Sequence, residues 1–279
     1  MRVDAHHHVW DLDVRDQPWT TELPALRRSF TLDDLRPELE KHHIDGTVVV
    51  QTVCVADETP ELLALAAAEP TIVGVVGWVD LTDADVAENL EALRACHGGN
   101  ALVGVRHQVQ EEPDPRWLCR PDVRRGLAAV GAAGLVFDLL VIPSQLPAAA
   151  ETVRSLPDVR FALDHAGKPA IATGELQAWQ SVLTELSDAA NVAVKLSGLT
   201  VQADLDAWTI DQLRPYAEAL LELFGPDRVM FGSDWPVCLL AGTYDQTITA
   251  AATLIEQLDE AGQAAVFGDT AARWYGVVG

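Results

Sequence analysis

Positive charge is scarce in this chain of 279 residues: 19 Lys and Arg stand against 42 Asp and Glu, a formal net charge of −23. A field of that sign repels nucleic acid and anionic membrane surfaces, so neither is expected as a partner. Cysteine is scarce as well. Cys54, Cys96, Cys119 and Cys238 lie far apart and form no C-x-x-C pair, which fits a reduced, cytoplasmic protein. No apolar run approaches the roughly 18 residues of a membrane-spanning helix. The N-terminus lacks the charged segment and apolar core of a signal peptide. Familiar catalytic loops are also missing: there is no G-x-S-x-G elbow, no Walker A loop and no G-x-G-x-x-G turn. A nucleophilic-serine hydrolase, a kinase and a dehydrogenase are therefore disfavoured.

What is present is a rhythm. Apolar, β-rich runs recur at Val3–Ala5, Thr47–Gln51, Ile72–Val79, Leu102–His107, Leu135–Val141, Arg160–His165, Val192–Leu196 and Arg228–Gly232. Most are continuous and not alternating, as parallel strands covered on both faces are. Helical stretches separate them, with their own punctuation. Thr31 with Asp34 resembles a capping box, Phe30 with Leu35 a hydrophobic staple, and Phe224-Gly225-Pro226 a helix stop. Eight strand–helix units without a linker predict an α/β fold, a (β/α)8 TIM barrel forming one domain over residues 1–279. The runner-up, a doubly wound open sheet, usually carries a Gly-rich phosphate turn after its first strand, where this chain has His6-His7-His8.

Strand alternation puts Asp4, His6 and His8 on one face of the first strand and His7 on the other. Two imidazoles at i and i+2 converge on one point, where they can hold a divalent ion or polarise a substrate oxygen. Barrel enzymes work at the C-terminal ends of their strands. That rim reads His6 and His8, Gln51, Trp78 and Asp80, Arg106 and His107, Asp138, His165, Lys195 and Ser197, and Asp234. Of the adjacent pair Arg106 and His107, only one can face the barrel centre. Lys195 reads either as a site cation or as a structural partner of Asp234 or Asp138. The first βα loop, with Trp10 and Trp19, reads as a pocket wall or as a loop pinned by its aromatics. Cations just past strand ends in so acidic a chain suggest a site for an anion or for developing negative charge.

These residues resemble the amidohydrolase superfamily. The matching pieces are Asp4-Ala5-His6-His7-His8, His165 in LDHAGKP and Asp234 in FGSDWP; GVRHQVQ, VKLSGL and GDTAARWYG carry the likeness to its sugar-acid lactonase branch. The resemblance implies a catalytic group of His6, His8, His165 and Asp234. It also implies one loosely held divalent ion, zinc or similar, on His6, His8 and Asp234, with a mechanism free of metal as the alternative. Arg106, His107, Lys168, Lys195, Trp78 and Trp235 are the candidates for contact with substrate. Two-metal members place a histidine on each of two successive middle strands. Here only His165 is evident, and Lys195 stands where the second would sit, so a binuclear site is not expected. The reaction implied is hydrolysis of a small lactone substrate. A decarboxylase or amide hydrolase acting on a carboxylated ring is the alternative, and a silent sugar-acid-binding barrel is the remote one.

Overall fold

The computed structural model describes residues 1–277. Its eight strands are β1 Val3–His7, β2 Gly46–Val50, β3 Ile72–Gly77, β4 Leu102–His107, β5 Val136–Leu139, β6 Arg160–Leu163, β7 Val192–Leu196 and β8 Val229–Phe231. All pair in parallel with their sequence neighbours, in the order β1 to β8. The sheet closes on itself just past β8. The Asp234 amide donates to the His6 carbonyl at 2.8 Å, and the His8 amide to the Trp235 carbonyl at 2.7 Å. This is the expected (β/α)8 barrel, and the closure removes the open-sheet alternative.

The major helices between and after the strands are α1 Leu32–Lys41, α2 Glu58–Ala68, α3 Val86–Ala95, α4 Pro121–Ala132, α5 Leu146–Ser155, α6 Leu176–Ser187, α7 Leu199–Gln202, α8 Ile210–Phe224, α9 Tyr244–Leu254, α10 Glu260–Ala264 and α11 Thr270–Tyr275. Their starts follow the sequence signals. At α1 the Thr31 amide donates to Asp34 Oδ2 at 2.8 Å. At α8 the Thr209 amide donates to Gln212 Oε1 at 2.9 Å, and Gly225 leaves the helix with φ of +69°.

Alternation along each strand divides the core in two. One set of side chains packs under the helices. The other fills the barrel and includes Val3, Ala5, Val48, Val76, Val136, Ala162, Ala193 and Met230. Tyr275 of α11 joins this inner set. Arg160, which opens β6, donates to the Trp274 carbonyl at 2.5 Å, so α11 covers the N-terminal floor of the barrel. With the floor shut and the interior packed, a ligand can enter only at the opposite end. No helix among the described residues is long and apolar enough to cross a membrane.

Candidate active site

The first strand does not obey simple alternation. Val3 and Ala5 point into the barrel, and Asp4 points out, accepting from Ser233 N at 2.8 Å and Tyr244 Oη at 3.2 Å. The register then slips between Asp4 and His7. This bulge brings His6 inward directly after Ala5, sends His7 out to Thr47 Oγ1 at 3.0 Å, and returns His8 inward. The expectation that Asp4 shares a face with His6 and His8 is thus corrected. Asp4 is a seam residue that ties β1 to the β8 loop.

Local backbone explains the other site groups. Ala162 on β6 and Asp164 just past its end alternate inward; His165 would then point away, but its φ of +51° turns the ring back into the site. Gly198 makes room for it, since a Cβ there would lie 3.0 Å from the His165 ring. Asp234 also has positive φ, +57°. Gly232 lets its strand pass His6, because a Cβ would come within 2.6 Å of the His6 Cβ.

The result is a compact cluster. His6 Nε2 and His8 Nε2 are 3.2 Å apart, and Asp234 Oδ1 is 3.7 Å from the first and 3.4 Å from the second. His165 stacks edge-on to His6 at 4.6 Å, with Nδ1 2.9 Å from Ser197 Oγ and 3.9 Å from Asp234 Oδ2. His8 Nδ1 faces the Val50 carbonyl at 2.7 Å, which can only accept, so Nε2 turns a lone pair to the cluster. His6 Nδ1 faces two groups, Lys195 Nζ at 3.0 Å and Asp164 Oδ1 at 3.3 Å. With its proton on Nε2, His6 donates to His8. With the proton on Nδ1, toward Asp164, three acceptors meet, and beyond Arg106 Nη1, 3.3 Å from His6 Nε2, only a cation would satisfy them. Ligand atoms about 2.1 Å from a tetrahedral ion stand roughly 3.4 Å apart, the spacing seen here. The outward nitrogen of His8 has a carbonyl acceptor, as a metal-binding histidine requires, and that of His6 lies 3.3 Å from Asp164 Oδ1.

Charge is arranged around this point. Burial pushes the Asp234 carboxyl upward, but His165, His8 and His6 outweigh it and hold the group below its ordinary value. Burial holds His165 neutral, with its pKa lowered to about 4. Arg106 crosses the centre, with Nη1 3.1 Å from Asp164 Oδ2 and 3.3 Å from His6 Nε2. Its Nη2 bonds the carbonyl of Gln51 and, at 3.1 Å, that residue's Oε1. Above the cluster opens a cavity of about 440 Å³, with Trp19, Cys54, Leu140 and Val237 on its walls and His8, Arg106, His165, Lys168 and Asp234 at its polar end. Lys168 Nζ is held by Gln110 Oε1 at 2.5 Å.

Comparison with known proteins decides what this barrel is. The family profile described as Amidohydrolase matches residues 3–277. The chain belongs to the amidohydrolase family. An L-fucono-1,5-lactonase of Burkholderia multivorans is 38% identical over 291 aligned residues, covering 99% of this chain and 96% of that one. A second L-fucono-1,5-lactonase, of Burkholderia ambifaria, is 37% identical over 87% of this chain and 83% of its own. The crystal structure of a Burkholderia multivorans amidohydrolase with bound zinc superposes with a TM-score of 0.95 at 37% identity, over 100% of both chains.

The residues expected at the site of this amidohydrolase fall into three places. His6, His8, His165 and Asp234 meet, with Arg106 and Lys168 beside them on the cavity. Lys195 is fully buried below the cluster and does not reach the cavity wall. Trp78, His107 and Trp235 lie off the cavity wall. His107 points to the outer side of β4, stacked on Trp117 at 4.3 Å, accepting from Trp78 Nε1 at 3.1 Å and reaching Glu112 Oε1 at 2.8 Å. Trp235 packs edge-on against Phe30 at 5.5 Å. In the first βα loop the two tryptophans divide the work. Trp10 is anchored, with Nε1 on the Arg28 carbonyl at 2.7 Å, and Trp19 lines the cavity. Asp164 is the centre's unforeseen member, although its alternation with Ala162 marks it as inward-facing.

Proposed function

We propose that this amidohydrolase opens a small sugar-acid lactone by attack of water at the ring carbonyl. The observation that carries the reading is full-length similarity to an L-fucono-1,5-lactonase, joined to a site whose Asp234 carboxylate and imidazoles face a cavity of sugar size. One divalent ion, zinc or similar, fits the acceptor triad of His6, His8 and Asp234, and would supply Lewis acidity at the carbonyl and the attacking water.

The chain's own groups do the rest. Asp234 Oδ1 faces His6 and His8, leaving Oδ2 to orient the water and take its proton as oxygen bonds to the carbonyl carbon. His165, kept neutral by burial, sits 3.9 Å away to donate to the oxygen that gains charge. The proton on Asp234 passes to the ring oxygen as its bond to carbon breaks, and the product is a hydroxy acid that ionises. Arg106 and Lys168 face that carboxylate and the sugar hydroxyls.

A pH-indicator assay with L-fucono-1,5-lactone and related sugar-acid lactones tests the reading, because each opening releases a proton. Asp234→Asn is expected to lose about 10²–10⁴-fold in kcat while remaining folded. Wild-type turnover in that variant, or release of carbon dioxide from carboxylated rings with no lactone opening, would replace it with the decarboxylase chemistry.

A further inference from the structure

Below the catalytic cluster lies a second group of cation-binding atoms. His6, Asp138 and Asp164 each offer one ligand atom, all within 4.8 Å of one another, and all three residues are fully buried. At their centre is the Lys195 ammonium, 2.5 Å from Asp138 Oδ2, 3.0 Å from Asp164 Oδ1 and 3.0 Å from His6 Nδ1. Asp164 Oδ1 is buried yet accepts no well-directed hydrogen bond from either neighbour. Tyr275 Oη braces the far carboxylate, 2.8 Å from Asp138 Oδ1.

The geometry is that of an ion site with the ion tethered. Two carboxylates and an imidazole nitrogen surround one positive charge, and His6 faces it with Nδ1 while its Nε2 points to the cluster above. We propose that His6 Nδ1, Asp138 and Asp164 form a second, floor-level cation site whose resident cation is Lys195, and that this lysine limits the barrel to one divalent ion. The proposal rests on the reading of the upper cluster as the place for that one ion. Arg106 neutralises the other oxygen of Asp164 from the cavity side, so the floor site needs only the lysine for balance. Were the ammonium absent, Asp138 would lack a counter-charge in a buried space, and an ion entering there would supply one.

The experiment counts metal ions by elemental analysis in untagged protein, purified with zinc and dialysed. Lys195→Ala is expected to hold one zinc more per chain than the wild type. The double variant Asp138→Asn/Lys195→Ala should return to the wild-type count. If Lys195→Ala folds only when zinc is supplied, the same conclusion follows from its recovery with the extra ion. A folded Lys195→Ala chain with the wild-type count, or one that folds neither with nor without zinc, overturns the proposal. A wild-type count of zero would overturn the upper-cluster reading instead, and the difference between the two chains would still decide the floor site.

Discussion

Lys168 is a single cavity-lining side chain to which the proposed function gives a substrate-binding role. It sits in left-handed backbone with φ of +54°, directly after the turn that carries His165, and Gln110 fixes its ammonium at 2.5 Å. Burial lowers its pKa, with the Asp234 charge opposing. A hydrogen bond to a charged group contributes about 1.5–3 kcal/mol, and in the proposed reaction a Lys168 bond to the sugar hydroxyls is made in ground state and transition state alike. Lys168→Met is therefore expected to raise KM for the lactone by about 10- to 100-fold with a smaller change in kcat. Steady-state kinetics on one lactone checks it, and an unchanged KM would remove Lys168 from substrate binding. Most of the buried cluster was legible in the residues themselves, because His6, His8, His165 and Asp234 are titratable groups at the ends of apolar runs. Asp164 is not among the residues expected at the site, whereas its neighbour His165 is. Strict alternation admits Asp164 and excludes His165, and only the positive φ at His165 admits both. The slip in β1 was hidden in the same way, since a bulge is set by pairing with neighbouring strands and leaves no mark in composition.

At the scale of elements, the segment after β4 is held by a satellite cluster. His107 lies between Trp78, an indole that can only donate to Nδ1, and Glu112, which accepts at Nε2; the ring is stacked on Trp117. This fixes one neutral tautomer. Just beyond it, Gln108 ties down the Thr52 carbonyl at 2.8 Å and Gln110 holds Lys168, so the brace sets one wall of the cavity. Burial outweighs Glu112 and Asp80, the acids facing this ring, and holds His107 below its ordinary value of 6.5. The unfolded chain thus binds this proton more readily. Its contribution is complete above about pH 6.5 and is lost as pH falls below it. Protonation also turns Nδ1 into a donor against the Trp78 N–H. Denaturant unfolding from pH 7.5 to 5.5 should cost the wild type about 1 kcal/mol more than His107→Phe. Equal losses in the two chains would show that the brace does not titrate. The sequence allowed only one of Arg106 and His107 to face the barrel centre. Trp78 and His107 lie together off the cavity wall because the two bond each other on the outer side, where Trp117 stacks on His107, a pairing that no local pattern reveals.

For the whole molecule, the order of the strands was the most legible feature, since each buried parallel strand reads as its own apolar run. The covered floor was not. Tyr275 reaches Asp138 across 137 positions of sequence, and neither residue announces the other. The opposite holds for net charge, which is plain in the composition and acts on the folded shape only as a field. Were every Lys and Arg paired, 42 − 19 = 23 acidic groups would still lack a partner, so repulsion exceeds attraction across the surface. Exposed pairs such as Glu151 with Arg116 and Arg124 oppose this locally, but surface pairs contribute only about 0–1 kcal/mol each and weaken in salt. Screening shortens from roughly 30 Å at 0.01 M to about 3 Å at 1 M. It therefore relieves the long-range repulsion of the compact state, while the tightest pairs lose little. The melting temperature at pH 7.5 should rise by about 2 °C between 10 mM and 0.5 M sodium chloride, the shift that roughly 1 kcal/mol produces in a chain of this size. Chloride is the salt to use, because sulfate strengthens apolar burial by itself. A flat or falling melting temperature would mean that the surface pairs, and not the 23 surplus charges, set the electrostatic balance of the fold.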